Sequence, residues 1–316
     1  MQTRTLGKSN LEIVPLVLGG NVFGWTIDEP KSFEVLDAFA DRGFNCIDTA
    51  DVYSKWVLGH QGGESETILG KWFARSGKRN SIVLATKVGM DMGDGQKGLA
   101  RKYILEEVEQ SLRRLKTDHI DLYQSHIDDK DTPLDETLEA YARLIEQGKV
   151  RAIGASNYKG DRLSEAIELA EKSGLPVYRT LQPEYNLYDR QEYETDLAPV
   201  AAQYELGVIP YFSLASGFLT GKYQKLEDAK GAKREGRVTK YFDPRGMRIL
   251  KVLKSVADEA GAPQASVALA WLLAQPTITA PIASATSVDQ LQDLFAAAEL
   301  KLSPAQLEEL TEASAY

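Results

Sequence analysis

Four side chains that can hold or share a proton stand at strand-like positions in this 316-residue chain: Asp48, Tyr53, Lys87 and His126. Asp48 ends the run FNCID, Lys87 ends SIVLATK and His126 ends HIDLYQSH, with Tyr53 five residues beyond Asp48. Later runs end in the same manner, in Ser156 and Asn157, in Gln182 and in Tyr211. Taken singly, these residues have plain structural readings: a turn cap, a surface charge, a hydrogen-bonded core histidine, a packing tyrosine. If the runs are neighbouring parallel strands, however, the residues converge on one rim, and Lys87 beside Asp48 becomes an ion pair on a half-buried edge. Such a pair loses hydration, so it points to a role other than stability. Metal chemistry is not indicated, because His60, His119, His126 and the lone Cys46 form no ligand-spaced set. Cys46, close to Phe44 and Ile47, reads as a small buried strand residue.

The elements that must position these groups alternate along the whole chain. Strand candidates span 16–20, 44–48, 81–87 and 119–126, followed by runs ending at 157, 182, 211 and 284. Amphipathic segments at 31–42, 65–75, 103–115, 134–147 and 161–172 lie between them. A strand that reaches its neighbour through a helix pairs with it in parallel, giving an open doubly wound sheet or a closed barrel. Eight units favour closure, and LGGNVFGW after the first strand does not fit the glycine spacing of an open dinucleotide-binding fold. The expected fold is therefore α/β, a single (β/α)8 barrel domain over residues 1–316, with its chemistry on the C-terminal rim and long βα loops there. TRTLGKSNLEIVP, at residues 3–15, reads as an N-terminal β-hairpin plugging the bottom of the barrel. The polar, basic stretch 221–246 is expected to be a long loop acting as a lid over an anionic ligand.

Composition narrows the partners. Lysine plus arginine number 37 against 46 aspartate plus glutamate, a formal charge of -9, which argues against nucleic acid. A hydrophobic content of 43% with 26% charged residues fits a globular protein with a large core. One cysteine allows no internal disulfide and suits a reducing compartment. The N-terminus lacks a secretory apolar segment, and no stretch approaches the ~20 apolar residues of a membrane helix, so the expected location is cytoplasmic, without a membrane partner.

GFNCIDTADVY, at residues 43–53, resembles the G-[FY]-x-x-x-D-T-A-x-x-Y signature of the aldo-keto reductases, and LATKVG at 84–89 resembles their lysine motif. The resemblance continues through DHIDLYQSHIDD, GKVRAIGASNY, LQPEYNLYDR, VIPYFSLASGFLTGKY and SVALAWLLAQPTITAPIASATSVDQL, covering nearly the whole chain. It implies a hydride transfer between a nicotinamide cofactor and an aldehyde, ketone or sugar carbonyl, so that the partner is a small carbonyl or alcohol. The implied tetrad is Asp48, Tyr53, Lys87 and His126. A free phenol has a pKa of about 10; a neighbouring ammonium on Lys87 is expected to lower it, making Tyr53 a better proton donor. Asp48 would anchor Lys87, and His126 would polarise the carbonyl.

The resemblance also implies a cofactor site. Ser156, Asn157 and Gln182 would bond the carboxamide and Tyr211 would stack on the ring. Gly20, Phe212, Ser213, Leu214, Ser216 and Gly217, with Lys222, would hold the rest through the pyrophosphate. Members of this family commonly read the 2′-phosphate with two cations after the last strand; here Ser284, Thr286, Ser287, Gln290 and Asp293 occupy that segment and neither cation is present. NADP(H) remains the expectation by family habit, with NAD(H) the competitor. Trp25 and Trp56 fall in the loops after the first two strands and could wall an apolar pocket, whereas His60 reads as a loop residue. Ser54 stands where glycine often follows the tyrosine. Two other readings use the same motifs: a redox-sensing subunit, as in the potassium-channel β-subunits, and a phosphate-binding aldolase or isomerase with Lys87 as a Schiff-base residue.

Overall fold

The protein is described by a computed structural model covering residues 2–316. Strands β1 (Arg4–Thr5) and β2 (Glu12–Ile13) pair antiparallel as the expected hairpin, with Arg4 opposite Ile13. Eight parallel strands follow: β3 (Val17–Gly19), β4 (Cys46–Asp48), β5 (Val83–Val88), β6 (Ile120–Ser125), β7 (Val150–Ser156), β8 (Thr180–Gln182), β9 (Gly207–Val208) and β10 (Ile282–Ala283). Their order is β10-β3-β4-β5-β6-β7-β8-β9. The ring closes where Thr279 N donates to Val208 O at 2.9 Å and Ile282 N to Pro210 O at 2.9 Å. This is the expected (β/α)8 barrel.

Helices α1 (Glu29–Asp41), α2 (Glu64–Ser76), α3 (Arg101–Leu115), α4 (Leu134–Glu146) and α5 (Gly160–Ser173) follow successive strands at the amphipathic segments read from sequence. Local chemistry sets their ends. Asp28 caps α1 by accepting from Lys31 N at 3.0 Å, and left-handed glycines at 77 and 174 close α2 and α5. The interior follows the two-residue period of a strand. Cys46, Ala85, Leu122, Ala152 and Ile209 pack into an apolar layer that also holds Leu6, Leu11 and Ile13 of the hairpin segment, so the hairpin plugs the lower end. Gly7 makes the fit possible: it sits at φ +54°, and a Cβ there would lie 2.4 Å from Arg179 O and 2.5 Å from Gly207 N. Two residues further along each strand, the interior changes character to Asp48, Lys87, Gln124 and Gly154.

The stretch 221–246 differs from the expected open loop. It folds into short helical turns at Leu226–Ala229, Glu235–Val238 (α6) and Thr239–Tyr241, and Pro244 already opens the long helix Pro244–Ala260 (α7). Ala229, Val238 and Tyr241 are buried beneath it. Its charged composition conceals these few apolar anchors, which is why it reads as unstructured.

Candidate active site

The upper layer of the barrel interior forms the floor of a cavity of about 1020 Å³. Asp48, Tyr53 and His126 line it, and Lys87 lies directly beneath, with no exposed surface. Lys87 Nζ donates to Asp48 Oδ2 at 2.6 Å, to Thr49 O at 2.7 Å and to Tyr53 Oη at 2.9 Å, so all three ammonium protons are used. Register explains the meeting: β4 and β5 are adjacent, with Asp48 opposite Ala85, one inward position from Lys87. Tyr53 arrives from the long loop after β4, where Ser54 takes φ +74° and its hydroxyl donates to Phe23 O at 2.9 Å. The serine that stands in place of glycine thus ties this loop to the one after β3.

The electrostatics differ in one respect from expectation. Burial, and then the nearby Asp48 carboxylate, push the Tyr53 phenol well above its usual pKa despite the adjacent ammonium. Lys87 is lowered by burial while Asp48 opposes that shift. His126 is held well below the imidazole range by burial and by Lys87, and is neutral. Its ring lies 6.1 Å from that of Tyr53, and its Nδ1 is buried without a partner among the described residues, so contact with a ligand falls to the other ring nitrogen.

The other sequence-derived candidates surround this centre. Ser156 Oγ donates to Gln182 O at 2.8 Å, Asn157 Nδ2 to His126 O at 2.8 Å and Tyr211 Oη to Asn157 Oδ1 at 2.8 Å. Gln182 is engaged more deeply than expected, its Nε2 donating to Asp48 Oδ1 at 2.9 Å. After β9 the chain takes positive φ at Phe212, Ala215, Ser216 and Gly217 in a tight turn, where Ala215 N donates to Phe212 O at 2.7 Å and Gly217 N to Leu214 O at 2.8 Å. Phe212, Ser213, Leu214, Ser216, Gly217 and Lys222 line the cavity there. A Cβ on Gly217 would lie 3.0 Å from Lys222 Nζ. Ser284, Thr286, Gln290 and Asp293 form the far wall, where Thr286 N donates to Gln290 Oε1 at 2.9 Å. Gly20 is the exception. It is packed behind the wall, its carbonyl accepting from Ser65 Oγ at 2.8 Å, while Gly19 and Asn21 face the cavity.

Several residues of the site are absent from the sequence reading. Gln124 Nε2 reaches Asp48 Oδ1 at 3.3 Å, and its place on β6 two residues before His126, in step with the strand period, was the available signal. Lys233, Arg234 and Arg237 line the cavity alongside Lys222 because the basic segment folds back over the rim. Asp51, within the tyrosine motif, is wholly buried with Oδ2 unpartnered among the described residues, and burial pushes its carboxyl well above the usual range. No pattern of spacing announces that. Among the described residues no cluster suited to a metal ion occurs, and no helix is long and apolar enough to cross a membrane.

Comparison with known proteins agrees with this geometry. The chain is 39% identical over 311 residues to the "Uncharacterized oxidoreductase YrpG" of Bacillus subtilis, covering 96% of this chain and 92% of the relative. It is 35% identical to the "Aldo-keto reductase YhdN" of the same organism, covering 88% and 81%. A "Probable voltage-gated potassium channel subunit beta" of Arabidopsis thaliana is 33% identical, covering 95% and 92%. A family model described as "Aldo/keto reductase family" matches residues 15–315. With that match spanning the barrel and every element of its floor, the chain belongs to the aldo/keto reductase family.

Proposed function

We propose that this protein reduces aldehyde or ketone carbonyls with a nicotinamide cofactor, using Tyr53 as general acid and, in the reverse direction, as general base. The observation that carries the reading is the Lys87 ammonium held between Asp48 at 2.6 Å and Tyr53 at 2.9 Å on the floor of a large cavity. When bound, the nicotinamide supplies the hydride that no side chain can provide. Tyr53 holds its proton at neutral pH, and the raised pKa makes it a weaker acid in the unliganded site, so proton transfer to the substrate oxygen depends on stabilising the phenolate it leaves. Transfer leaves a phenolate, and the Lys87 ammonium at hydrogen-bond distance stabilises it. Asp48 opposes the lowering of the Lys87 pKa by burial and so favours its ammonium form, and Gln124 and Gln182 hold Asp48 in place. Neutral His126 hydrogen-bonds the carbonyl oxygen and orients it towards Tyr53. Lys87 is unsuited to Schiff-base chemistry, since its nitrogen is sealed from the cavity and fully hydrogen-bonded.

Ser156, Asn157, Gln182 and Tyr211 would hold the nicotinamide end, and the cavity-lining turn after β9 with Lys222 the pyrophosphate. For the adenosine end, neither expected cation stands after β10, and the cavity-lining Arg234 and Arg237 sit over the Trp25 and Phe212 rings at 5.6 Å and 5.2 Å. NADP(H) remains the first choice by family habit, with NAD(H) its competitor. Aldehyde-dependent oxidation of NADPH and NADH tests both parts: the expected result is turnover with a higher kcat/KM for NADPH, whereas no turnover with any simple aldehyde removes the reductase reading and a large preference for NADH removes the NADP(H) assignment. The relatives named as channel subunits favour a second reading, a redox-sensing subunit with little turnover. Negligible turnover combined with tight NADPH binding and a large assembly on a sizing column would favour it.

A further inference from the structure

Behind the floor, on the outer face of the barrel, lies a second layer of charge that no step of the proposed reaction uses. Thr86 of β5, on the opposite face from the inward Lys87, donates from Oγ1 to Glu66 Oε1 of α2 at 2.6 Å. Arg114 of α3 donates from Nε to Glu66 Oε2 at 2.7 Å and pairs with Glu107, so two carboxylates share one guanidinium. Tyr123 of β6 stands opposite Thr86 in the strand register, and its hydroxyl is buried without a partner among the described residues. Asp51 brings a third carboxyl, wholly buried, from the turn between Asp48 and Tyr53. Burial, and then the charges of Glu66 and Glu107, favour its uncharged form. Within its turn Asp51 is tied twice: its N–H donates to Lys87 O at 3.3 Å, and its Oδ1 accepts from Val52 N at 2.6 Å. That Val52 amide has no other acceptor among the described residues, so the carboxyl alone holds the peptide leading into Tyr53.

We propose that Asp51 is a positioning residue for the proton transfer, its buried carboxyl locking the turn that holds the Tyr53 hydroxyl on Lys87. The signature G-[FY]-x-x-x-D-T-A-x-x-Y leaves this position open, so the role belongs to the residue this chain places there. Lys87 is joined to the turn at two points, through its carbonyl to Asp51 N and through its ammonium to Tyr53 Oη at 2.9 Å, and Tyr53 N closes the turn onto Ala50 O at 3.2 Å. Remove the carboxyl and the Val52 amide is left unpaired away from water, so the turn shifts until that amide finds a partner. An uncharged carboxyl suits the place because it accepts on one oxygen and donates from the other, without adding a third negative charge beside a single guanidinium. Asparagine offers the same acceptor and donor in the same shape, whereas an aliphatic side chain offers neither.

The inference rests on the reductase reading for its chemistry, and its test separates the two. Asp51→Asn, Asp51→Leu and the smaller Asp51→Ala are compared with wild type as full chains, the two apolar variants guarding against a misfit of either. Chemical denaturation gives the folded fraction. With NADPH and propanal, kcat, KM, cofactor affinity and the solvent deuterium isotope effect on kcat are measured. Carbon NMR of ring-labelled tyrosine, with the Tyr53 signal assigned through Tyr53→Phe, reports the phenol without turnover. Asp51→Leu and Asp51→Ala are expected to lower kcat about tenfold to hundredfold, since a small displacement of the acid is enough. Their solvent isotope effect rises and their Tyr53 signal moves, while KM and NADPH affinity stay as in wild type. Asp51→Asn restores every one of these readings. Folded apolar variants with wild-type kcat and an unmoved Tyr53 signal, or an Asp51→Asn protein as impaired as they are, overturn the proposal. A Tyr53 signal that moves in the apolar variants and returns in Asp51→Asn, with no turnover even in wild type, upholds the positioning role and defeats the reductase reading. A loss confined to stability, with kcat per folded molecule unchanged, leaves the reductase reading intact and defeats the positioning role.

Discussion

Replacing Tyr53 by phenylalanine separates chemistry from architecture in this site. The substitution deletes one oxygen, which accepts from Lys87 Nζ at 2.9 Å and donates weakly to Asp48 Oδ2 at 3.3 Å. Lys87 keeps its bonds to Asp48 at 2.6 Å and Thr49 O at 2.7 Å, so the buried charge stays paired. The ring keeps its contacts with Trp56 and His126. Losing one half-buried hydrogen bond costs about 1 kcal/mol of stability, or a fall of about 2 °C in Tm for a protein of this size. Losing the general acid slows turnover by about 10²–10⁴-fold, equivalent to about 3–5 kcal/mol of barrier. Lys87→Met provides the contrast, since it strands Asp48 in a buried site and is expected to cost about 3–5 kcal/mol of stability as well as activity. The assays are aldehyde-dependent NADPH oxidation, NADPH affinity by fluorescence titration and chemical denaturation of each variant. A Tyr53→Phe protein that keeps turnover within tenfold of wild type, or that unfolds as readily as Lys87→Met, refutes the assignment of the proton donor.

Three further outcomes follow from the buried titratable groups. With His126 neutral and the Tyr53 phenol protonated, the rate of carbonyl reduction is expected to be flat from about pH 6 to pH 8; a break near the ordinary imidazole pKa of about 6.5 would count against a neutral His126. The same depressed pKa makes the unfolded chain bind a proton that the folded protein refuses, so the His126 contribution to stability is present above about pH 6.5 and is lost on acidification at up to about 1.4 kcal/mol per pH unit. Denaturation of wild type and His126→Gln across that range measures it, the variant showing the shallower dependence. Asp51 has the opposite sign. Its folded carboxyl is raised well above the usual range, so as pH climbs past about 4 the unfolded chain releases a proton that the folded protein retains, and wild-type stability falls by up to about 1.4 kcal/mol per unit until the folded carboxyl ionises. Asp51→Asn is expected to match wild type near pH 4 and to exceed it at pH 7. Urea unfolding at the two pH values that gives no such divergence disproves the neutral buried carboxyl.

The barrel and its floor were legible in the amino-acid sequence because both obey a strict local period. Alternate strand residues share a face, so an apolar residue such as Cys46 or Ala85 predicts the inward direction of Asp48 and Lys87 two positions later; Gln124 obeys the same period but, lying inside its run rather than at its end, was missed. Eight such runs with intervening amphipathic helices leave little alternative to a closed parallel ring. Other features depend on contacts between distant segments and carry no local signal. The basic stretch reads as an open loop, yet Ala229, Val238 and Tyr241 anchor it so that Lys233 meets Trp25, 208 residues earlier in the chain. Gln182 reaches Asp48 across 134 residues, and the sign of the Tyr53 shift depends on how completely the barrel excludes water around the phenol. Periodicity determines which residues point inward. Which of them touch, and what charge they carry once there, is decided only when closure of the ring removes the solvent.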